Sequence, residues 1–410
     1  MKIPHEKFCV LPWVSLETSP IGTVRPCCLA EEEITDINGN KFDLSRSAEL
    51  ADIQDSNYMR KLRKQFLRAE QPDTCKKCWN EEDAGRTSKR MHTLNRLKHI
   101  IPDSEWTQDP KPLIFLDLKL GNICNLKCRI CGSWSSSTFA VEEIEFTPIA
   151  QKKTGLHYQM LKQGAWARDN QDFWDEINSM SEQIRYIEFT GGEPFMIREH
   201  FQFLERIVEM GIAGQVEIHY NTNGTQYPDN AEDIWQHFKT VEIAFSVDDV
   251  GPRFEYQRAN AVWSEVEHNI AQFMAMRDRH CHIQLQACIT VNVFNVMYLE
   301  DVANWADAQG FNFIYWNMLH EARYHSIGCL PDSTKQTIRD RLTNINVSDR
   351  NRLEIDRIIE FMMNGQELGD IYDLINNTHR VDARRGQDLR THHSEFAKAI
   401  GYNGNYRNIK

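Results

Sequence analysis

Residues 118–137 read LKLGNICNLKCRICGSWSSS, and the organisation of the whole chain follows from this stretch. Cys124, Cys128 and Cys131 stand in it as C-x3-C-x2-C, behind an apolar run at 113–118 and ahead of a polar, serine-rich segment. Three thiolates so close together make a soft-metal site. A structural zinc or an ordinary [4Fe-4S] centre takes four protein ligands, so a three-cysteine loop leaves one coordination position for something else.

Outward from the loop, apolar and β-branched runs at 113–118, 184–189, 216–220, 241–247, 283–291 and 311–316 alternate with helical patterns. The helices are expected at 173–180, 200–210, 231–238, 262–276 and 296–309. Such alternation implies parallel βαβ units with right-handed crossovers. Between the first strand and Phe173 lies a polar insertion, read as irregular and long enough to cover an active site.

In βα folds the ligand site lies at the carboxyl ends of the strands. The first strand runs into the cysteine loop, and the second ends in Thr190-Gly191-Gly192-Glu193-Pro194. The third ends in Asn221-Thr222-Asn223-Gly224 and the fourth in Ser246-Val247-Asp248-Asp249. Paired glycines let backbone approach a ligand closely, and Glu193 can accept hydrogen bonds from an ammonium. Asn221, Thr222 and Asn223 offer donors and acceptors suited to ribose hydroxyls. Ser246, with Arg258 farther on, can hold a carboxylate. Taken singly, Gly191-Gly192 and Asn223-Gly224 are turns and Asp248-Asp249 is a helix cap. Taken as an ordered set at strand ends, they point to a cofactor site.

A second cysteine group lies in residues 1–100: Cys9, Cys27, Cys28, Cys75 and Cys78. Pro20-Ile21-Gly22 between two strand-like runs suggests a β-hairpin with a thiol on each arm. A helix at 57–69, with Met59, Leu62 and Phe66 on one face, leads into Cys75-Lys76-Lys77-Cys78. Hairpin and C-x2-C together supply four ligands. Cys28 is the spare, because neighbouring strand residues point to opposite faces. By ligand rules alone, zinc and iron–sulfur both remain open.

The chain has 410 residues, 41% hydrophobic and 26% charged, with eleven cysteines and a net charge of -12. The acidic balance argues against non-specific nucleic-acid binding, and no nucleic-acid partner is expected. No apolar run reaches membrane-span length, and FCVLPWV near the start lacks a cleavage site for a signal peptide. Clustered, odd-numbered cysteines read as metal binding in a reducing cytoplasm.

At this point the residues resemble the radical S-adenosylmethionine (SAM) enzymes, whose signature is the C-x3-C-x2-C of Cys124, Cys128 and Cys131 and whose companion motif is Gly191-Gly192-Glu193-Pro194. The resemblance covers 113 to about 320 and implies a partial (βα)6 TIM-type barrel of the α/β class. It implies a [4Fe-4S] cluster whose open iron site takes the amine and carboxylate of SAM. It also implies reductive cleavage to a 5′-deoxyadenosyl radical that abstracts a substrate hydrogen. Gly191, Gly192 and Glu193 would then contact the methionine amine. Asn221, Thr222, Asn223 and Ser246 would face ribose or carboxylate, and Arg258 the carboxylate. Ile130 stands where many members carry an aromatic residue near the adenine.

The spacing from Cys9 to Gly22, then Gly22-x4-Cys27, resembles SPASM/twitch domains, which bind auxiliary [4Fe-4S] clusters. This favours Cys27 over Cys28 and iron–sulfur over zinc, with Cys75 and Cys78 completing one auxiliary cluster. Such domains usually follow the barrel; here the match precedes it. The family implies an electron donor such as flavodoxin or ferredoxin. It also implies a peptide or protein substrate, or a small molecule such as a sugar or nucleoside. A non-catalytic iron–sulfur or zinc scaffold is the reading of a different class.

Residues 321–410 read as a helical C-terminal extension, with Ile355, Ile358, Ile359 and Met362 as a packing stripe ended near Gly365. Arg380, Arg384, Arg385 and Arg390 suit a solvated face, a clamp across the barrel mouth or an anionic substrate. Cys288 reads as a core residue and candidate hydrogen donor, Cys281 and Cys329 as isolated. His320 and His325 follow the sixth strand as possible substrate contacts.

Overall fold

A computed structural model describes residues 1–46, 49–83, 85, 87–103, 105–319, 322–364 and 371–404. Gly365 and His320 lie outside these described residues. The strands are β1 (Ser15–Thr18), β2 (Val24–Arg25), β3 (Phe115–Lys119), β4 (Lys127–Cys128), β5 (Tyr186–Thr190), β6 (Glu217–Thr222), β7 (Thr240–Ser246), β8 (Arg258–Ala259), β9 (Ile283–Val291) and β10 (Phe313–Met318). The fold is α/β with mostly parallel strands, the TIM-type arrangement, followed by a helical C-terminal region. Strand ends differ from the sequence expectation by at most two residues, because alternating burial marks a strand's middle better than its ends.

Two compact units make up the chain. The first holds 1–125, 133–221 and 228–242; the second holds 126–132, 222–227 and 243–410. In the first, the strand order is β6-β5-β3-β1-β2. The expected hairpin forms, β1 antiparallel to β2, but β1 also adds in parallel to β3. The amino-terminal segment therefore extends the sheet that carries the barrel motifs. The register aligns Glu17, Asp117, Glu188 and His219 in one row across four strands. Their chain neighbours Leu16, Leu116, Ile187 and Ile218 form the opposite, fully buried row.

The insertion after β3 departs from the expectation of irregular chain. It folds as helices Ser137–Phe146 and Leu156–Gln163. The Ser136 side chain accepts from the Phe139 amide at 3.0 Å, so part of the serine run is a helix cap.

In the second unit the order is β10-β9-β7, with β10 parallel to β9 from Phe313↔Gln286 to Met318↔Val291. A short antiparallel ribbon pairs β4 with β8, setting Cys128 opposite Arg258. The expected stripe is realised in helix Asp349–Asn364, where Ile355, Ile358 and Met362 are buried and Ile359 half-buried. No helix among the described residues is long and apolar enough to cross a membrane.

Candidate active site

In the first unit, Cys124 is fixed through its backbone. Its amide donates to Ser137 Oγ at 3.1 Å, and its carbonyl accepts from Ser137 Oγ at 3.2 Å and from Thr138 Oγ1. The glycine pair after β5 lies against the residues just before it. Gly191 and Gly192 have φ of +73° and +57°, and a Cβ on Gly192 would lie 2.5 Å from the Ile123 carbonyl oxygen. Only glycine permits that approach of backbone to backbone. The Glu193 amide then donates to the same Ile123 oxygen at 2.7 Å. The Glu193 carboxylate is buried and accepts from the Phe195 amide at 3.2 Å. Asn221 lies near the end of β6, half-buried.

The row Glu17, Asp117, Glu188 carries acidic side chains that no spacing along the chain singles out. Lys119 Nζ lies 2.6 Å from Glu17 and 3.4 Å from Asp117, and Arg25 holds Glu17 through Nε and Nη2 at 2.8 and 2.9 Å. Lys89 Nζ straddles the Glu188 carboxylate at 2.7 and 2.6 Å. Burial opposes ionisation of Asp117, but Lys119 and Lys89 more than offset it and hold the carboxyl below its ordinary range. The signal was available: FLDLK and YIEFT each place one acid in the middle of an apolar strand.

The amino-terminal cysteines form two groups. Cys9 is pushed up by burial and then by Cys75, Cys27 and Cys78 in turn. Burial, with Cys78 adding, pushes Cys27 up to about 11, and Cys75 rises through burial, Cys27 and Cys78. These four thiols share one electrostatic environment. Cys28 faces Lys89, Asp117 and Lys119 as well as its chain neighbour Cys27, and its thiol donates to Asp117. The expected hairpin does not carry the thiols on its arms. Cys9 precedes the helix Leu11–Val14, and Cys27 and Cys28 follow β2 in a bend and turn. Cys75 and Cys78 sit at the junction of the turn Asp73–Cys75 with helix Lys76–Asp83. Among the described residues no three His, Cys, Asp or Glu converge on a single metal ion.

The second unit holds the rest of the cysteine loop. Cys128 is buried and Cys131 exposed; Ile130 between them is half-buried. A hydrogen bond from Cys131 pulls the Cys128 thiol down to about 7 against its burial, with the Arg258 guanidinium adding. Arg258 Nη1 stands 3.8 Å from Cys128 Sγ, while Nε and Nη2 grip Asp248 Oδ2 at 3.0 and 2.7 Å. Two of its donors are thus taken by a carboxylate of this chain. Asp248 Oδ1 accepts from the Thr290 amide at 3.0 Å, tying the end of β7 to β9. Asp248 and Asp249 do not act as the expected cap: helix Gly251–Gln257 is entered from Val250, and Asp249 binds Arg253 at 3.0 Å. Ser246 ends β7, half-buried. Thr222 Oγ1 and Asn223 Oδ1 accept from the Gly224 and Thr225 amides at 3.1 and 2.9 Å, which is turn chemistry. On β9, Cys288 Sγ accepts from Asn317 Nδ2 at 3.0 Å.

The donor sets suit iron–sulfur ligation: soft thiols, a guanidinium near one of them, and a glycine cradle without room for side chains. Comparison with known proteins agrees. The model of the radical SAM superfamily matches residues 118–306, and that of the SPASM iron–sulfur cluster-binding domain matches residues 9–79. A search of curated proteins found no match. Among solved structures, native anSMEcpe with bound AdoMet is 17% identical, covering 68% of each chain, at a TM-score of 0.37. Streptococcus suis SuiB bound to precursor peptide SuiA is 11% identical, covering 80% of this chain and 75% of that one, at a TM-score of 0.35.

Proposed function

The chain belongs to the radical SAM superfamily and carries an iron–sulfur cluster-binding domain of the SPASM type at its amino-terminal end, and on that premise we propose that it modifies a peptide or protein. It is an enzyme whose cofactors are a SAM-binding [4Fe-4S] cluster, SAM and auxiliary iron–sulfur. Reduced cluster and SAM together supply a carbon-centred radical able to remove a substrate hydrogen. Cys124, Cys128 and Cys131 would hold the first cluster, and Cys9, Cys27, Cys75 and Cys78 the auxiliary one. Gly191, Gly192 and Glu193 would receive the methionine amine, Asn221 and Ser246 the ribose or carboxylate. Thr222 and Asn223 shape the turn beside it, and Ile130 lends apolar contact. Arg258, committed to Asp248, would act on the charge around Cys128 more than on a bound carboxylate.

The observation that carries the peptide reading is the edge of β10. Among the described residues this strand pairs with β9 alone. Cys288 and Thr290 use their backbone groups toward the end of β7, and the Leu319 amide donates to Val291. In this unbroken register Phe313 and Tyr315 bond to β9, and the backbone groups of Ile314 and Trp316 face the open edge. Phe313 is 51% exposed and Tyr315, on the same side of the strand, 43%. An open edge with aromatic side chains at alternate positions suits an extended backbone, which adds donors and acceptors at matching spacing. A sugar or nucleoside gains nothing from such an edge.

The test uses reconstituted, reduced enzyme with SAM and a library of peptides deuterated at carbon. Deuterium is expected in 5′-deoxyadenosine from a peptide. Ile314→Pro, which removes one outward donor while sparing the bonds to β9, should weaken peptide binding roughly tenfold, about one backbone hydrogen bond. Transfer from sugars or nucleosides alone would overturn the peptide reading. No 5′-deoxyadenosine from a fully loaded sample would favour the scaffold.

A further inference from the structure

Within the second unit, Arg129 lies between Cys128 and Cys131, and all of its partners lie outside that loop. Its Nε donates to the Tyr256 carbonyl at 3.0 Å, and its guanidinium lies 3.7 Å from the centre of the Tyr256 ring. Its Nη2 donates to Asp382 Oδ1 at 2.5 Å and to Gln387 Oε1 at 2.8 Å. Its amide donates to the Gln257 carbonyl at 2.8 Å. Both charged partners are buried, Arg129 6% and Asp382 4% exposed.

Asp382 belongs to helix Ile371–Arg385 in the C-terminal extension, a region in which no barrel motif falls. Four donors converge on its carboxylate. Besides Arg129, Oδ1 accepts from Tyr256 Oη at 3.0 Å, and Oδ2 accepts from Tyr402 Oη at 2.8 Å and the Leu389 amide at 2.9 Å. A carboxylate so fully engaged has one geometry, and it passes that geometry to the arginine it holds. A short cysteine loop has little regular structure of its own; only Lys127 and Cys128 are in a strand. Ligand spacing at a metal site is set by such outer partners as much as by the ligands.

We propose that Asp382 is a positioning residue for the cluster loop: through Arg129 it fixes the segment between Cys128 and Cys131, so that the C-terminal helices hold the cluster site in shape. The proposal rests on reading Cys128 and Cys131 as ligands. It also gives the C-terminal extension a task that packing alone would not require, since a plain docking contact has no need of a charge inside the ligand loop.

The experiment compares full-length wild type, Asp382→Asn and Cys128→Ala/Cys131→Ala. Amide hydrogen exchange of residues 124–132 is measured on the metal-free protein. Iron content and the change in the reduced electron paramagnetic spectrum on adding SAM are measured on the reconstituted protein. Asp382→Asn should speed exchange in the loop at least tenfold with little change elsewhere in the barrel, and shrink the SAM-induced spectral change. Auxiliary iron should stay. If Asp382→Asn does not fold, Gln387→Leu removes only the second Arg129 contact and should speed exchange in the same segment. Wild-type exchange and an intact spectral response in the folded variant overturn the proposal. Failure of the ligand reading is a separate result: the double cysteine variant would then keep its iron and its response to SAM.

Discussion

Cys9, Cys27, Cys75 and Cys78 come from three separate segments of the first unit, whereas Cys128 and Cys131 lie three apart in one loop of the second. The first set is held by the stretch before helix Leu11–Val14, by the bend after β2 and by the start of helix Lys76–Asp83. Burial, aided by neighbouring thiols, drives Cys9, Cys27 and Cys75 upward. The second set leans on borrowed groups: Arg258 beside Cys128, Asp248 behind Arg258, and Arg129 held by Asp382. There Cys128 is drawn down to about 7, by Cys131 first and Arg258 next, against its burial. Thiols buried among other thiols resist ionisation until metal arrives, since burial outweighs what Lys89 and Arg90 contribute. Thiols set beside a guanidinium favour the charged form in advance, and chemistry can take place at the position left over.

Breaking each side separately sharpens the contrast. The largest effect is expected from Cys75→Ala/Cys78→Ala, which should lower iron per chain by about half, one cluster of two, while SAM cleavage persists. Unchanged iron together with lost zinc, read by metal analysis, would reverse the assignment of that site. Next comes Arg258→Met. It strands the buried Asp248 carboxylate and should cost roughly 3–5 kcal/mol in urea unfolding, because one partner of a buried pair is left uncompensated. A loss near zero would mean that Asp248 relaxes toward water.

Acid provides a third probe. Burial holds His200 in the first unit and His325 in the second down to about 3. An unfolded histidine titrates near 6.5, so the unfolded chain binds more protons between these values. Stability is fully present above about 6.5 and falls with pH toward 3, by about 1.4 kcal/mol per pH unit for each histidine. His200→Phe should flatten the thermal midpoint between pH 6.5 and 4.5; an unchanged slope would show that His200 gains water or a partner. The smallest effect is expected from Cys28→Ala, which should leave iron content as it is and remove only a donor to Asp117. Iron loss equal to that of Cys27→Ala would place Cys28 among the ligands.

Much of this arrangement is legible in the sequence alone. Strand positions follow from runs of β-branched residues; the glycine pair after β5, read as an approach of backbone to a ligand, approaches the Ile123 backbone just before the first cysteine. Cys28 was set aside for a reason that does not hold: it lies past β2, and Asp117 with Lys89 and Lys119 sets it apart from the other four. The charge at Glu17, Asp117 and Glu188 escaped notice because each acid is single in its own strand. Only register aligns them.

The sequence by itself determined which thiols are available, where strands begin to alternate with helices, and that the loop at 124–131 has one ligand too few. Local spacing and period carry that information, and they act within a few residues. Tertiary structure decided the rest: that β1 joins β3, that Arg258 turns to Asp248, and that Arg129 meets a carboxylate 253 residues away. Those pairings depend on which buried charges find compensation once the chain has closed, and no spacing along the chain encodes them.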